Sequence, residues 1–167
     1  NIAEALKREP RIARRARFVG MHGSVRKGYG GKDKIDAEYN VRADAKAAQQ
    51  VLSAPWRQTV ITPLDTCGLV HLTGDKFAAV RDSQDPVAKA IMENYRIWAK
   101  HVDWTKLNPE ERSSTLFDTV GVYLTFSDDL LKMETFRIAV DDKGFTRIDS
   151  NGAKMQVFNV KPDAGIA

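Results

Sequence analysis

The sequence predicts an α/β sheet with an antiparallel hairpin near its C-terminal end. Three observations carry that reading. Through the first two thirds of the chain, short β-branched or apolar runs alternate with amphipathic helical patterns. Pro, Gly and Asp punctuate those patterns where elements should begin and end. In the last third, "FRIAV" and "FTRID" flank Asp141-Asp142-Lys143-Gly144, a hairpin signal, and "MQVFNV" adds one more strand.

Taken in order, residues Ile2 to Leu6 and Ile12 to Ala16 read as helix on either side of Pro10. "RFVGMHG" (Arg17 to Gly23) then reads as a short buried strand running into glycine. A Gly- and Lys-rich loop, "GSVRKGYGGKDK", needs mobile or positive-φ backbone at several points. Asp44 should cap a helix whose stripe is Ala47, Ala48, Val51 and Leu52, and Pro55 stops it. "TVITPLD" (Thr59 to Asp65) is β-branched enough for a strand. Thr73 or Asp75 starts a helix through Phe77 and Val80. In the following helix Asp85 is the cap, Pro86 takes the first turn, and Ala88, Ile91, Met92, Tyr95, Trp98 and Ala99 share a face expected to be core. "STLFDTVGVYLTF" (Ser114 to Phe126) is an apolar run interrupted by Asp118.

The 167 residues are the length of one domain, and 43% hydrophobic content suffices for a core. No linker, repeat or low-complexity tract divides them. No run approaches the roughly 18 apolar residues of a membrane span. Cys67 is the only cysteine, which excludes an intrachain disulfide and a thiolate metal cluster. A reducing, cytoplasmic compartment is favoured, and secretion stays open because the sequence starts without methionine. The net charge of +4 gathers in "KREPRIARRAR" and "RKGYGGKDK". These arginines are not interleaved with aromatics, so a solvated helix face is preferred over a nucleic-acid surface.

Several residues could carry chemistry. Glu38 and Asn40 lie one residue apart, so extended backbone would point both to one face, before the helix that Asp44 caps. A carboxylate accepts from hydroxyls and an amide both donates and accepts, so the pair can bracket a diol; the alternative is a polar surface loop. Asp118, between Phe117 and Thr119, is either a ligand for a hard metal or the cap of the helix it starts. Asp65 closes a strand and is expected to cap the next turn. His22, His71 and His101 show no metal-ligand spacing and read as structural. The Gly-rich loop matches neither phosphate-binding glycine pattern, and Cys67 has no local partner that would make it a nucleophile.

Four stretches in order, "NIAEALKREPRIARRARFVGMHGS", "DAEYNVRADAKAAQQVL", "VITPLDTCGLVHLT" and "TLFDTVGVYL", together resemble the nucleoside hydrolase family, the inosine–uridine-preferring nucleosidases. The resemblance implies an open, mostly parallel, Rossmann-like sheet flanked by helices. It also implies hydrolysis of the N-glycosidic bond of ribonucleosides to ribose and free base. Calcium is the implied cofactor, holding the ribose diol and the attacking water, with an aspartate as general base. Carried onto this sequence, Glu38 and Asn40 match the ribose-binding acid and amide, Met21 matches a methionine lining the sugar pocket, and Asp118 matches a calcium ligand. Phe117 would face the base. Relatives are commonly dimers or tetramers, so a homo-oligomer is implied, with a nucleoside as ligand and no nucleic acid or membrane.

The departures are informative. Phe117 stands where many members carry a histidine that assists the departing base, and phenylalanine has no proton to donate. Thr119 replaces a proline, Lys32 falls where a ribose-contacting asparagine is frequent, and Gly68 stands where a histidine is common. The family's aspartate-rich N-terminal motif, source of the base and most calcium ligands, has no counterpart in residues 1–167. The resemblance thus reads the chain as the C-terminal half of a single nucleoside hydrolase domain. That half should turn over only with its N-terminal half; the alternative is a ribosyl-binding protein of the same fold without catalysis.

Overall fold

A computed structural model describes residues 1–103 and 106–160, the last three through their backbone alone. The helices are α1 (Ile2–Arg8), α2 (Ile12–Arg15), α3 (Tyr39–Ala43), α4 (Ala45–Ser53), α5 (Gly74–Arg81), α6 (Pro86–His101) and α7 (Phe117–Tyr123). The strands are β1 (Arg17–Met21), β2 (Gln58–Thr62), β3 (Leu131–Val140), β4 (Thr146–Ile148) and β5 (Ala153–Val160). They form one sheet in the order β1-β2-β5-β3-β4. β1 runs parallel to β2, from Arg17 opposite Gln58 to Met21 opposite Thr62, and β2 runs parallel to β5. β5 and β4 both pair antiparallel with β3.

The sheet is therefore mixed, with a parallel side built by the helical connections and an antiparallel side built by the tail. The β3–β4 hairpin stands at the edge of the sheet and reaches the parallel side through β5. The last strand lies between β2 and β3, so the tail closes the centre of the sheet. β3 is also longer than "FRIAV", because pairing with β5 extends it back to Leu131. Strand alternation divides the core between two faces. Phe18, Ile61, Ile138, Met155 and Val157 pack with Leu6 of α1 and Val51 and Leu52 of α4. Met21, Val60 and Leu131 pack with Leu64, Cys67 and Val70, and with Val120 and Leu124 at α7.

Local chemistry explains the element ends. Asp44 accepts from the Ala47 N–H at 2.9 Å, capping α4, and Asp85 accepts from the Val87 and Ala88 N–H groups, capping α6. The expected core face of α6 is corrected. Met92 is its buried residue, whereas Ile91 is 55% and Trp98 37% exposed. The reason is the shape of the α5–α6 pair, which packs chiefly on itself through Phe77 against Tyr95, ring centroids 6.5 Å apart. Among the described residues, no helix is long and apolar enough to cross a membrane.

Candidate functional site

The site begins where β1 ends. Met21 is the last residue of the strand, and Gly23 follows at φ +85°, a conformation that favours glycine. The chain then presents five consecutive backbone N–H groups to side chains from three distant segments. Gly23 donates to Glu38 Oε2 at 3.2 Å and Ser24 to Thr146 Oγ1 at 2.8 Å. Val25 donates to Asp65 Oδ2, and Arg26 and Lys27 to Asp65 Oδ1, at 2.8, 2.6 and 3.1 Å. Asp65 thus anchors this loop with both carboxylate oxygens. The expectation that it caps the following turn is corrected, since the backbone C=O of Pro63 makes that turn with Thr66 and Cys67.

Glu38 is the N-cap of α3, and its carboxylate also accepts from Asn40 N–H at 2.8 Å and Val41 N–H at 3.3 Å. The side chain is buried, at 2% exposure. Burial pushes its carboxyl above the ordinary 4.5, the three N–H groups pull the other way, and the charge of Asp118 adds to the rise. Asn40 lies inside α3, not on extended backbone, so the alternation argument for the pair does not hold. The helix delivers the amide by another route. Asn40 Nδ2 donates to Met21 O at 3.3 Å and approaches Met21 Sδ at 3.4 Å. An acid–amide spacing of two residues suits a helix start as well as a strand, which is why the sequence left the geometry open.

Asp118 comes from the other side of β1. α7 lies along that strand, with Gly121 facing the Gly20 and Met21 backbone, and Asp118 is in the first turn of the helix. It is exposed, not buried among apolar neighbours, and no side-chain bond caps α7. The reading of Asp118 as the cap of this helix is therefore corrected, Leu116 standing at that position. Its charge nonetheless acts on Glu38, His22 and Cys67, which places it over the same end of the sheet. Phe117 is half-buried, with its ring 6.4 Å edge-on from Tyr29 and beside Gly68. The Tyr29 hydroxyl accepts from the Tyr39 N–H at 2.9 Å, so the aromatic wall is tied to the helix that carries Asn40. Lys32 is engaged with Asp36 at 2.8 Å, and the Asp36 carboxylate also receives the Tyr29 N–H.

Met21, Glu38, Asn40, Phe117 and Asp118 are thus gathered at the C-terminal end of the parallel strands, the usual place for a site in such sheets. A cavity of about 370 Å³ adjoins it, lined by Phe18, His22, Asn40, Asp44 and Val51 among others. Of the expected site residues it includes Asn40 alone. A second, of about 270 Å³, lies among Arg17, Gln58, Leu124, Phe126 and Gln156, and none of the expected site residues lines it. Tyr29 and Thr146 were not expected at the site. A tyrosine in a Gly-rich loop had a local signal available; Thr146 had none.

Two comparisons bear on this arrangement. The sequence profile of the family described as "Inosine-uridine preferring nucleoside hydrolase" matches residues 1–163. No curated protein matches the chain. Among solved structures, a purine-preferring ribonucleoside hydrolase from Gardnerella vaginalis is similar over 99% of this chain and 52% of its own, with TM-score 0.75 and 22% identity. A plant nucleoside hydrolase is similar over 98% of this chain and 54% of its own, at TM-score 0.77 and 15% identity. An inosine-guanosine nucleoside hydrolase gives 93% and 52%, TM-score 0.67 and 17% identity. The chain spans about half the length of these structures. With the family profile matched over residues 1–163 and the fold shared, the chain belongs to the inosine-uridine preferring nucleoside hydrolase family.

Proposed function

We propose that this chain supplies the ribose-orienting side of an N-ribosyl hydrolase that cleaves ribonucleosides to ribose and free base, completed by an N-terminal half of the same domain. The observation that carries this reading is the convergence of Met21, Glu38, Asn40 and Asp118 at the end of β1. Cleavage of an N-glycosidic bond passes through an oxocarbenium-like ribose. Two carboxyl groups on one side of the ring give negative potential where positive charge develops. Exposed Asn40, held by Met21, is placed to meet a ribose hydroxyl, and Phe117 with Tyr29 offers an aromatic surface for the base.

Calcium enters this proposal in a restricted way. The ion takes six to eight oxygens. Among the described residues no three His, Cys, Asp or Glu side chains cluster to hold a metal, and three backbone N–H groups occupy the Glu38 carboxylate. The residues present do not make a calcium site by themselves. Asp118 is one exposed donor, and in this reading the remaining ligands and the general base belong to the N-terminal half.

The test is ribose release from inosine and uridine by the protein containing both halves. Asp118→Ala is expected to lower it by at least about 100-fold, the scale of losing a group that stabilises developing charge. Unchanged release would overturn the role of Asp118. A second reading is favoured by one observation: Phe117, where a proton donor would help the base depart, is apolar. It is a ribosyl-binding protein without hydrolysis, and calorimetric nucleoside binding with no reducing sugar formed would select it.

A further inference from the structure

The Gly23–Ser24 pair is held from an unexpected direction. Thr146, the first residue of β4, accepts the Ser24 N–H at 2.8 Å and donates its own hydroxyl hydrogen to the Ser24 C=O at 2.7 Å. One hydroxyl thus satisfies both backbone groups of a residue 122 positions away. Thr146 is 1% and Ser24 0% exposed, so water has no route to replace it. The contact continues onto the neighbouring glycine. A Cβ on Gly23 would lie 2.7 Å from both Cγ2 and Oγ1 of Thr146, so the threonine rests against the Gly23 α-carbon. On its other side, Gly23 is fixed by the Leu64 N–H, which donates to its C=O at 2.9 Å.

Gly23 in turn donates to the Glu38 carboxylate at 3.2 Å. Thr146 is itself secured by β3, where it pairs opposite Val140. A continuous line therefore runs from the antiparallel side of the sheet, through Thr146 and Gly23, to the acid of the site. Resting on the ribosyl reading of Glu38, we propose that Thr146 is a positioning residue: its hydroxyl fixes Gly23–Ser24 so that the Gly23 N–H holds the Glu38 carboxylate in its ribose-orienting place. The competing account is that Thr146 only fills space beneath Gly23.

Two substitutions separate these accounts, because valine keeps the shape of threonine and serine keeps its hydroxyl. Amide exchange at Gly23 and Ser24 and the Glu38 carboxyl ¹³C shift would be read by NMR, and ribose affinity by calorimetry. Thr146→Val is expected to speed both amides by about tenfold, the scale of one lost hydrogen bond, to move the Glu38 signal and to weaken ribose binding. Thr146→Ser is expected to stay within about twofold of the unsubstituted chain, since its hydroxyl makes the same two bonds. The proposal is overturned if valine leaves these signals unmoved, or if serine disturbs them as much as valine. Should the valine protein fail to fold, Thr146→Ala compared with Thr146→Ser isolates the same hydroxyl. If ribose does not bind the unsubstituted protein containing both halves, the ribosyl reading falls, and the exchange rates and the carboxyl signal still decide the link from Thr146 to Glu38.

Discussion

The Cys67 thiol is enclosed near the end of β2, pointing at the Thr62 and Pro63 carbonyls at 3.5 and 3.2 Å. Burial pushes it up to about 12, with the charges of Glu38 and Asp118 adding to the rise. It is therefore protonated at neutral pH, and iodoacetamide should label it only after unfolding; rapid labelling of the native chain at pH 8 would contradict this placement. His22 differs, because burial lowers its imidazole below the ordinary 6.5 while Asp118 opposes the shift. A group lowered on folding contributes stability that is complete above 6.5 and is lost as pH falls through the lowered value. Urea unfolding followed from pH 7 downward should show that loss at no more than about 1.4 kcal/mol per pH unit, and His22→Gln should flatten it. Glu38, raised on folding, acts in the opposite direction, losing stability as pH rises from 4.5 through its raised value. At this scale the order of neighbouring residues marked Glu38, Asn40 and Asp118 as candidates, and the structure brings Glu38 and Asn40 to the end of β1. It gave Asp65 only the role of a turn cap and was silent on Thr146, because their partners lie about 40 and 122 positions away and leave no local pattern.

Elements were legible wherever a cap or a turn residue fixed them locally. Asp44, Asp85 and the Asp141–Gly144 turn fulfil the roles read from them. What a helix packs against is decided at long range, and the outward-facing Ile91 and Trp98 show the limit of a stripe argument. The β3–β4 turn also does something its sequence does not advertise. Gly144, at φ +81°, lies against α3, where an added Cβ would come within 2.6 Å of Arg42 Cα. Gly144→Ala therefore meets both backbone strain and a clash with the helix that carries Asn40. It is expected to cost about 2 kcal/mol or more by calorimetric unfolding, whereas an ordinary exposed turn glycine would tolerate alanine for less.

For the whole molecule, alternation of strands and helices was enough to give the α/β class, because each period is written in a few consecutive residues. The insertion of β5 between β2 and β3 was not readable, since it depends on which of several similar strand edges the tail finds. The same topology leaves β1 at the border, paired on one side with β2 and with no strand on its other side among the described residues. Its outward row of amides and carbonyls is a template on which a further strand can zip. Sedimentation of this chain by itself should therefore show an average mass that climbs with concentration, and a single constant mass across the range would refute that expectation. Any ribbon that zips onto that border comes to rest beside Met21, so self-association along this edge and the proposed ribose-orienting side meet on the same five residues.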